Sequence, residues 1–581
     1  MNKRKQEKSA AGQSRRDFLR INAVAGAGLL LPWVARGSHE STLKNLPRLD
    51  TTTIPKYQEP LLIPGAMPET SAGYYELAIR QFEQQILPTG YPKTKVAGYG
   101  SANHAGTFNT PALTIETVAN TPIRVKWIND QKDAGGNFLP HVLASELFPD
   151  HVMWANPPGP RDSHGNRFVH TPYLGPVPIV THLHGGASEQ QSDGHPLAWY
   201  LPAANNIPTG FFREGSLYDG FEALYGSPWD PGTATFEYSN EIATLLWCHD
   251  HTLGITEYNV YAGFAGGFMV RGGAYDLPVG VLPQAPYEIP LIIQDRSFKP
   301  DGSLLFHGAG EMGGDGDAII VNGRTWPRLN VEQRRYRFRI LNGCNNVPLN
   351  LYFSRNTLPV HVIGSDIGFL PSASRVKSLP LTNAERADVI VDFTNVPVGT
   401  ELYLLNKAGG ARPNTTGQVM KIRVAAAASS PDTSTPAGQL VSLPVAPMTG
   451  TPLVTRKLAI LDTRQGIIDG AGNPISLEFE DPPTETPAAG STEIWEFYGF
   501  DSHPMHLHAA HFQILSRQKF GGTVRGPKPW ERGLKDTVDI EESGITRVKV
   551  QFDRNPGLFV WHCHLLEHED KGMMRPLELQ P

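Results

Sequence analysis

Five residues near the C-terminus, His562, Cys563, His564, His568 and Met573, have the types and spacing to hold two metal sites back to back. On an extended strand successive side chains point to opposite faces, so Cys563 faces one way while His562 and His564 face the other. A cysteine with histidines and a weakly held methionine is the ligand set of an electron-transfer copper. The flanking histidines are left to bind metal on the far face, each one residue of covalent path from the sulfur. Such an arrangement can pass electrons from one copper site to another.

Three other clusters could supply the remaining ligands: His182-Leu183-His184, His249-Asp250-His251, and the run His503-Pro504-Met505-His506-Leu507-His508. Ten of the 20 histidines fall in these four motifs. A single pair spaced by one residue is more often ordinary strand structure than a metal site. Four such clusters, one centred on a cysteine, point to metal. Cys248, between Trp247 and His249, faces away from the two histidines on a strand. With Cys563 given to metal, export would permit a Cys248–Cys344 disulfide. Nothing in the sequence brings the two together, and both are read as free and buried.

The elements that must carry these motifs are strands. A chain of 581 residues is too long for one small core, and several domains are expected. It has 58 Gly and 50 Pro, with short Val/Ile/Thr/Phe-rich runs such as RVKWIND, RFRILN, ADVIVDF and RVKVQF between turn signals. That pattern predicts all-β Greek-key sandwiches with sparse helix. The ligand motifs lie towards the two ends, whereas residues 273–455 hold only His307 and His361. RGGAYDLPVG and the Ser/Pro/Ala-rich AAAASSPDTSTPAGQ mark breaks. Three sandwiches are expected near 55–272, 283–425 and 455–581, with a linker at 426–454 and no metal in the middle one.

Residues 1–40 read differently. Ser14-Arg15-Arg16-Asp17-Phe18-Leu19, after a Lys-rich start and before an apolar stretch from Ile21 to about Ala35, resembles a twin-arginine export signal. The stretch is too short and Gly-rich for a good membrane span. Such a signal implies the twin-arginine export machinery as a partner, cleavage between Ala35 and Leu46, and a periplasmic or extracellular destination. Residues 1–36 carry eight Lys/Arg and two Asp/Glu, which leaves 43 basic against 55 acidic residues, net −12. That balance gives no reason to expect nucleic-acid binding, and no other apolar run is long enough to insert the mature chain stably in a bilayer.

HLHGG, WCHDH, HPMHLH and HCHLLEHEDKGMM resemble the four copper motifs of multicopper oxidases, in their usual order. The resemblance runs from about Tyr74 to the C-terminus and is to the bacterial laccase and bilirubin-oxidase branch, including spore-coat laccases. It implies three cupredoxin-like domains and four copper ions. The type 2 copper would be held by His182 and His506. One type 3 copper would take His184, His249 and His564, and the other His251, His508 and His562. The type 1 copper would take His503, Cys563 and His568, with Met573 axial and Met574 its nearest competitor. Asp193 and Glu569 match acidic positions that serve dioxygen reduction in spore-coat laccases. Asp250 and Glu567 adjoin ligands, but adjacency on a strand turns a side chain away.

The activity implied is one-electron oxidation of phenols, aromatic amines or bilirubin-like donors at the type 1 copper, with electrons relayed by Cys563 through His562 and His564. Dioxygen would be reduced by four electrons to water at the three-copper cluster. Met at the axial position, in place of Leu or Phe, goes with a lower type 1 potential and so with easy donors. The donor is expected near His503 or His568, with Lys519–Gly533 shaping the entrance. One alternative is a cuprous oxidase, disfavoured by only 10 Met with no cluster beyond Met573-Met574. Another is a copper-sequestering or resistance protein with incidental turnover. Nitrite reductase would need fewer ligands than are present, and a zinc hydrolase would lack the intense colour of Cu(II)–thiolate.

Overall fold

The computed structural model describes residues 46–147, 156, 172–306 and 315–581, so the export signal expected in residues 1–40, and His307, lie outside the described residues. Strands dominate and pair into sheets that form three cupredoxin-like β-sandwiches. In the first, the sheet Thr94–Ser101, Tyr74–Gln84, Ile123–Asn129, Thr233–Tyr238 packs with the sheet Ala112–Val118, Ala265–Arg271, Leu245–Asp250, Thr181–His184. The core between them is aromatic: Tyr99 meets Trp127 at 5.1 Å and Tyr238 meets Phe268 at 5.9 Å between ring centroids.

The middle sandwich pairs a sheet built around Glu288–Phe298, Arg335–Asn342 and Arg386–Asp392 with one built around Gln418–Ala426 and Glu401–Asn406. The third pairs a six-stranded sheet, including Val454–Leu461, Thr492–Gly499 and Gly544–Gln551, with Thr537–Asp539, Pro504–Leu507, Gly557–Cys563 and Met574–Leu579. Each sandwich opens with a strand that pairs in parallel with a later one: Tyr74 beside Arg124, Glu288 beside Arg337, and Val454 beside Glu493. Non-consecutive pairing of this kind is how a Greek key closes. Residues 427–453 form no strand, yet Ala437, Leu440 and Leu443 are buried against the middle sandwich.

Burial along the strands separates scaffold from site. Gly544–Gln551 alternates buried and half-buried at every residue, the signature of a sheet with one wet face. Thr181–His184, Leu245–Asp250 and Pro504–Leu507 are buried at every residue. One face of each meets its own core and the other meets a neighbouring sandwich. Those doubly covered strands carry the histidine motifs. Among the described residues, no helix is long and apolar enough to cross a membrane.

Candidate metal centre

Register brings the motifs together. In the first sandwich His182 pairs with His249 and His184 with Trp247 across adjacent antiparallel strands. In the third, Met505 pairs with Cys563 and His506 with His562. The two doubly covered sheets meet, and among the described residues five groups of potential ligand atoms result, each with members within 4.8 Å of one another: His182/His184/His506, His184/His249/His564, His251/His508/His562, His503/Cys563/His568 and, with a carboxylate, His182/Asp193/His508. The eight histidines expected to form one cluster therefore converge, and the cysteine group lies apart from them. As strand alternation requires, the Cys563 sulfur sits 3.6 Å from His503 Nδ1 and 4.0 Å from His568 Nδ1, while its two neighbours point into the histidine cluster.

The donors are prepared for metal. Burial first, then repulsion from neighbouring rings, pushes His182, His184, His508 and His564 well below the ordinary imidazole range. They are neutral, with lone pairs available. Nε2 of His182, His249 and His506, Nδ1 of His184 and both nitrogens of His564 are buried without a hydrogen-bond partner. Each such orphan costs about 1–3 kcal/mol, a cost that bound metal would offset. His562 Nε2 also lies 3.1 Å from His251 Nε2 and 3.3 Å from His508 Nε2, three ring nitrogens converging on one point. A copper ion suits this all-imidazole set, and the Cys/His/His set suits the thiolate copper of electron transfer.

Met573 is fully buried in the same apolar cluster as Cys563, and its backbone carbonyl accepts from the Cys563 N–H at 3.0 Å. The Leu565 N–H reaches the sulfur at 3.4 Å. His568 is half-buried whereas the cluster histidines are covered, so the cysteine group is the one nearer solvent.

Both expected acids touch the cluster. Asp193 is buried, which raises its carboxyl well above the usual range, and its Oδ2 accepts from His508 Nδ1 at 2.7 Å. Glu569 stands 3.1 Å from His562 Nδ1 and 3.5 Å from His251 Nδ1. Burial raises its pKa, but those two rings outweigh burial and hold it below the ordinary carboxyl value. The carboxylates of Asp250 and Glu567 turn away, Asp250 by alternation on its strand and Glu567 because it lies on the helix Leu566–Asp570, where the sequence reading expects a strand. Asp250 accepts from Val180 N, Thr252 N and Asn259 Nδ2, while Glu567 pairs with Lys571. The three cysteines are free and buried. The 519–533 segment is pinned at Glu531, which accepts from Arg517 at 2.9 Å, and Trp530 packs on the main core.

Residues 455–581 match the profile of the multicopper oxidase family. Over 91% of its length the chain is 32% identical to a laccase of Bacillus subtilis, covering 99% of that protein. The chain belongs to the multicopper oxidases. A laccase of Haloferax volcanii is likewise 32% identical, over 98% of this chain and 91% of that one. Among solved structures, a multi-copper oxidase from Pediococcus acidilactici shares the fold, with a TM-score of 0.66 at 22% identity over 90% of this chain and 92% of that one. This multicopper oxidase is an oxidoreductase that uses copper, dioxygen and a reducing substrate.

The sequence reading missed two groups at the cluster. Trp247 lies against His249 with ring centroids 4.3 Å apart, and its neighbour in WCHDH was its only signal. Asp536, fully buried, receives His184 Nε2 at 3.1 Å and pairs with Arg386. Neither of that pair belongs to a histidine motif.

Proposed function

We propose that this multicopper oxidase is laccase-type, with four copper ions and small aromatic donors, phenols or aromatic amines among them. The observation that carries the reading is the position of Cys563. Its sulfur belongs to the His503/His568 group, and the residues on either side of it belong to the two three-histidine groups His251/His508/His562 and His184/His249/His564. In this reading His503, Cys563, His568 and Met573 hold the type 1 copper, and His182 and His506 the type 2. The three-histidine groups hold the type 3 pair, so residues 55–272 and 455–581 supply every ligand and 283–425 none.

When bound, copper would supply single-electron acceptance at the cysteine site and reduction of dioxygen at the histidine cluster. The chain supplies the rest. Cys563 ties the two sites through its peptide bonds to His562 and His564. Asp193, fixed by His508, and Glu569, between His251 and His562, hold carboxyl oxygens where dioxygen reduction consumes protons. The half-buried edge of His568 is the side from which an aromatic donor can approach.

The test is copper content, visible absorption and dioxygen uptake on one preparation. About four coppers per chain, a strong band at roughly 600 nm and uptake on adding a phenol are expected, with band and uptake both lost in Cys563→Ser. A blue protein that takes up dioxygen with Cu(I) and not with phenols or aromatic amines is a cuprous oxidase. One that takes up dioxygen with neither donor is a copper-holding protein.

A further inference from the structure

Five cluster histidines turn Nδ1 to an acceptor, which leaves Nε2 without a partner on His182, His249 and His506 and facing only other ring nitrogens on His508 and His562. His182 faces the Asp193 carbonyl at 2.5 Å, His249 the Asp250 carbonyl at 2.9 Å and His506 the Asp536 carbonyl at 2.9 Å. His508 faces Asp193 Oδ2 at 2.7 Å and His562 the Cys563 carbonyl at 2.9 Å. His184 is reversed. Its Nε2 lies 3.1 Å from Asp536 Oδ1 and 3.0 Å from the Thr537 hydroxyl. That hydroxyl donates to Asp536 Oδ1 at 2.9 Å, so its oxygen accepts. Nε2 of His184 must therefore carry the proton, and Nδ1, buried without a partner, keeps the lone pair.

Asp536 thus acts on two rings with two different atoms, its carboxylate on His184 and its main-chain carbonyl on His506. The rings stack at 3.7 Å and 15°, presenting opposite nitrogens. What holds Asp536 is Arg386, the first residue of the strand Arg386–Asp392 in the middle sandwich. All five guanidinium N–H groups have acceptors. Nε reaches the Leu245 carbonyl at 3.3 Å, Nη1 reaches Ala384 O at 3.0 Å and Asp536 Oδ1 at 2.8 Å, and Nη2 reaches Asp366 O at 3.2 Å and Asp536 Oδ2. The fork cannot swing without losing several bonds at once. Gly185 fits the same pair, because a Cβ there would lie 2.4 Å from Asp536 Oδ2 and 2.7 Å from Arg386 Nη2.

We propose that Arg386 and Asp536 are positioning residues that set the tautomer and orientation of His184. The sandwich without copper ligands thereby fixes one metal position of the cluster, the His184/His249/His564 group. The proposal rests on the ligand assignment above for its consequence in copper, but the tautomer itself is a property of the metal-free protein. Lysine cannot replace Arg386, because a single ammonium lacks the planar fork that engages both carboxylate oxygens.

The experiment uses Arg386→Lys and Asp536→Asn in the full chain, each read in two ways. In metal-free protein with 15N-labelled histidine and the His184 ring assigned, wild type is expected to show His184 protonated at Nε2, as His141 and His195 are outside the cluster, while the five rings above are Nδ1–H. The variants are expected to lose the His184 Nε2–H signal. In copper-loaded protein the variants are expected to keep the thiolate band at full strength while copper content falls by about one ion per chain and the EPR of the remaining cluster changes. A variant with the thiolate band but unchanged tautomer, copper content and EPR overturns the proposal. If Arg386→Lys does not fold, Asp536→Asn decides on the same readouts, and if neither folds, metal-free wild type decides, because a His184 ring protonated at Nδ1 overturns the proposal. Should wild type itself bind fewer than four coppers, the ligand assignment fails while the tautomer readout still judges the pair.

Discussion

Asp193 meets the cluster through two atoms, and the two do different work. Its main-chain carbonyl accepts from His182 and its carboxylate from His508. An amide in place of the carboxyl preserves the first contact and the shape of the second, but gives up an exchangeable carboxyl proton. Asp193→Asn is therefore expected to keep its copper and its thiolate band. Its dioxygen consumption should fall about 10- to 100-fold, the usual cost of altering a group that supports metal ligands. Full turnover in a steady-state oxygen-electrode assay would remove Asp193 from the proton path. Met573 offers a separate handle. It is fully buried beside Cys563, and under the proposed ligand set Met573→Leu replaces a soft thioether with an alkyl group at little change of volume. The thiolate copper's potential should rise, and an unchanged or lower value in a redox titration would mean that another residue, Met574 first, is axial.

At the scale of single elements, alternation along a strand did most of the predicting. The strand Leu245–Asp250 sends His249 to the cluster and Cys248 into the core, where it pairs with Leu183 across the sheet. Burial pushes the Cys248 thiol far up, so it stays a protonated, apolar filler. Cys248→Ala is expected to leave copper content and the blue band unchanged while lowering stability by roughly 1 kcal/mol through the small cavity left behind. Denaturant unfolding of the metal-free protein measures the second effect, and lost copper would contradict the facing. The same alternation made Cys563, His562 and His564 readable, and HxH spacing made the other histidines readable, because ligands on one strand leave a local signature. Arg386, Asp536 and Asp366 left none. Their partners are far apart in the chain, and a buried Arg–Asp pair looks in sequence like two surface charges. Only the fold, by pressing the middle sandwich against the third, shows that they are one unit.

At the scale of the whole molecule, the cluster lies on a seam between sandwiches, and the seam carries its own buried charges. Asp570 of the third sandwich accepts from Thr256 N at 3.1 Å and Glu257 N at 2.7 Å, at the start of the helix Thr256–Ala262 in the first. Asn345 of the middle sandwich donates to the Glu257 carbonyl at 2.9 Å. All three sandwiches thus grip one turn of chain, with the Glu257 side chain enclosed. Burial, then the charges of Glu567 and Glu569, raise the pKa of Glu257 above its ordinary value. The sign follows from linkage. A carboxyl whose folded pKa is raised contributes its full stability below the unfolded value, about 4.3, and loses it as pH rises through the folded one. Metal-free wild type should therefore lose stability relative to Glu257→Gln as pH climbs from about 4.3, by at most about 1.4 kcal/mol per pH unit. The difference between the two proteins isolates Glu257 from the buried histidines, whose depressed values act with the opposite sign. Thermal melts of both proteins across that range measure it. A gap that closes or reverses with rising pH would mean that Glu257 is ionised in the seam, and that Lys571, which lowers its pKa, outweighs burial there.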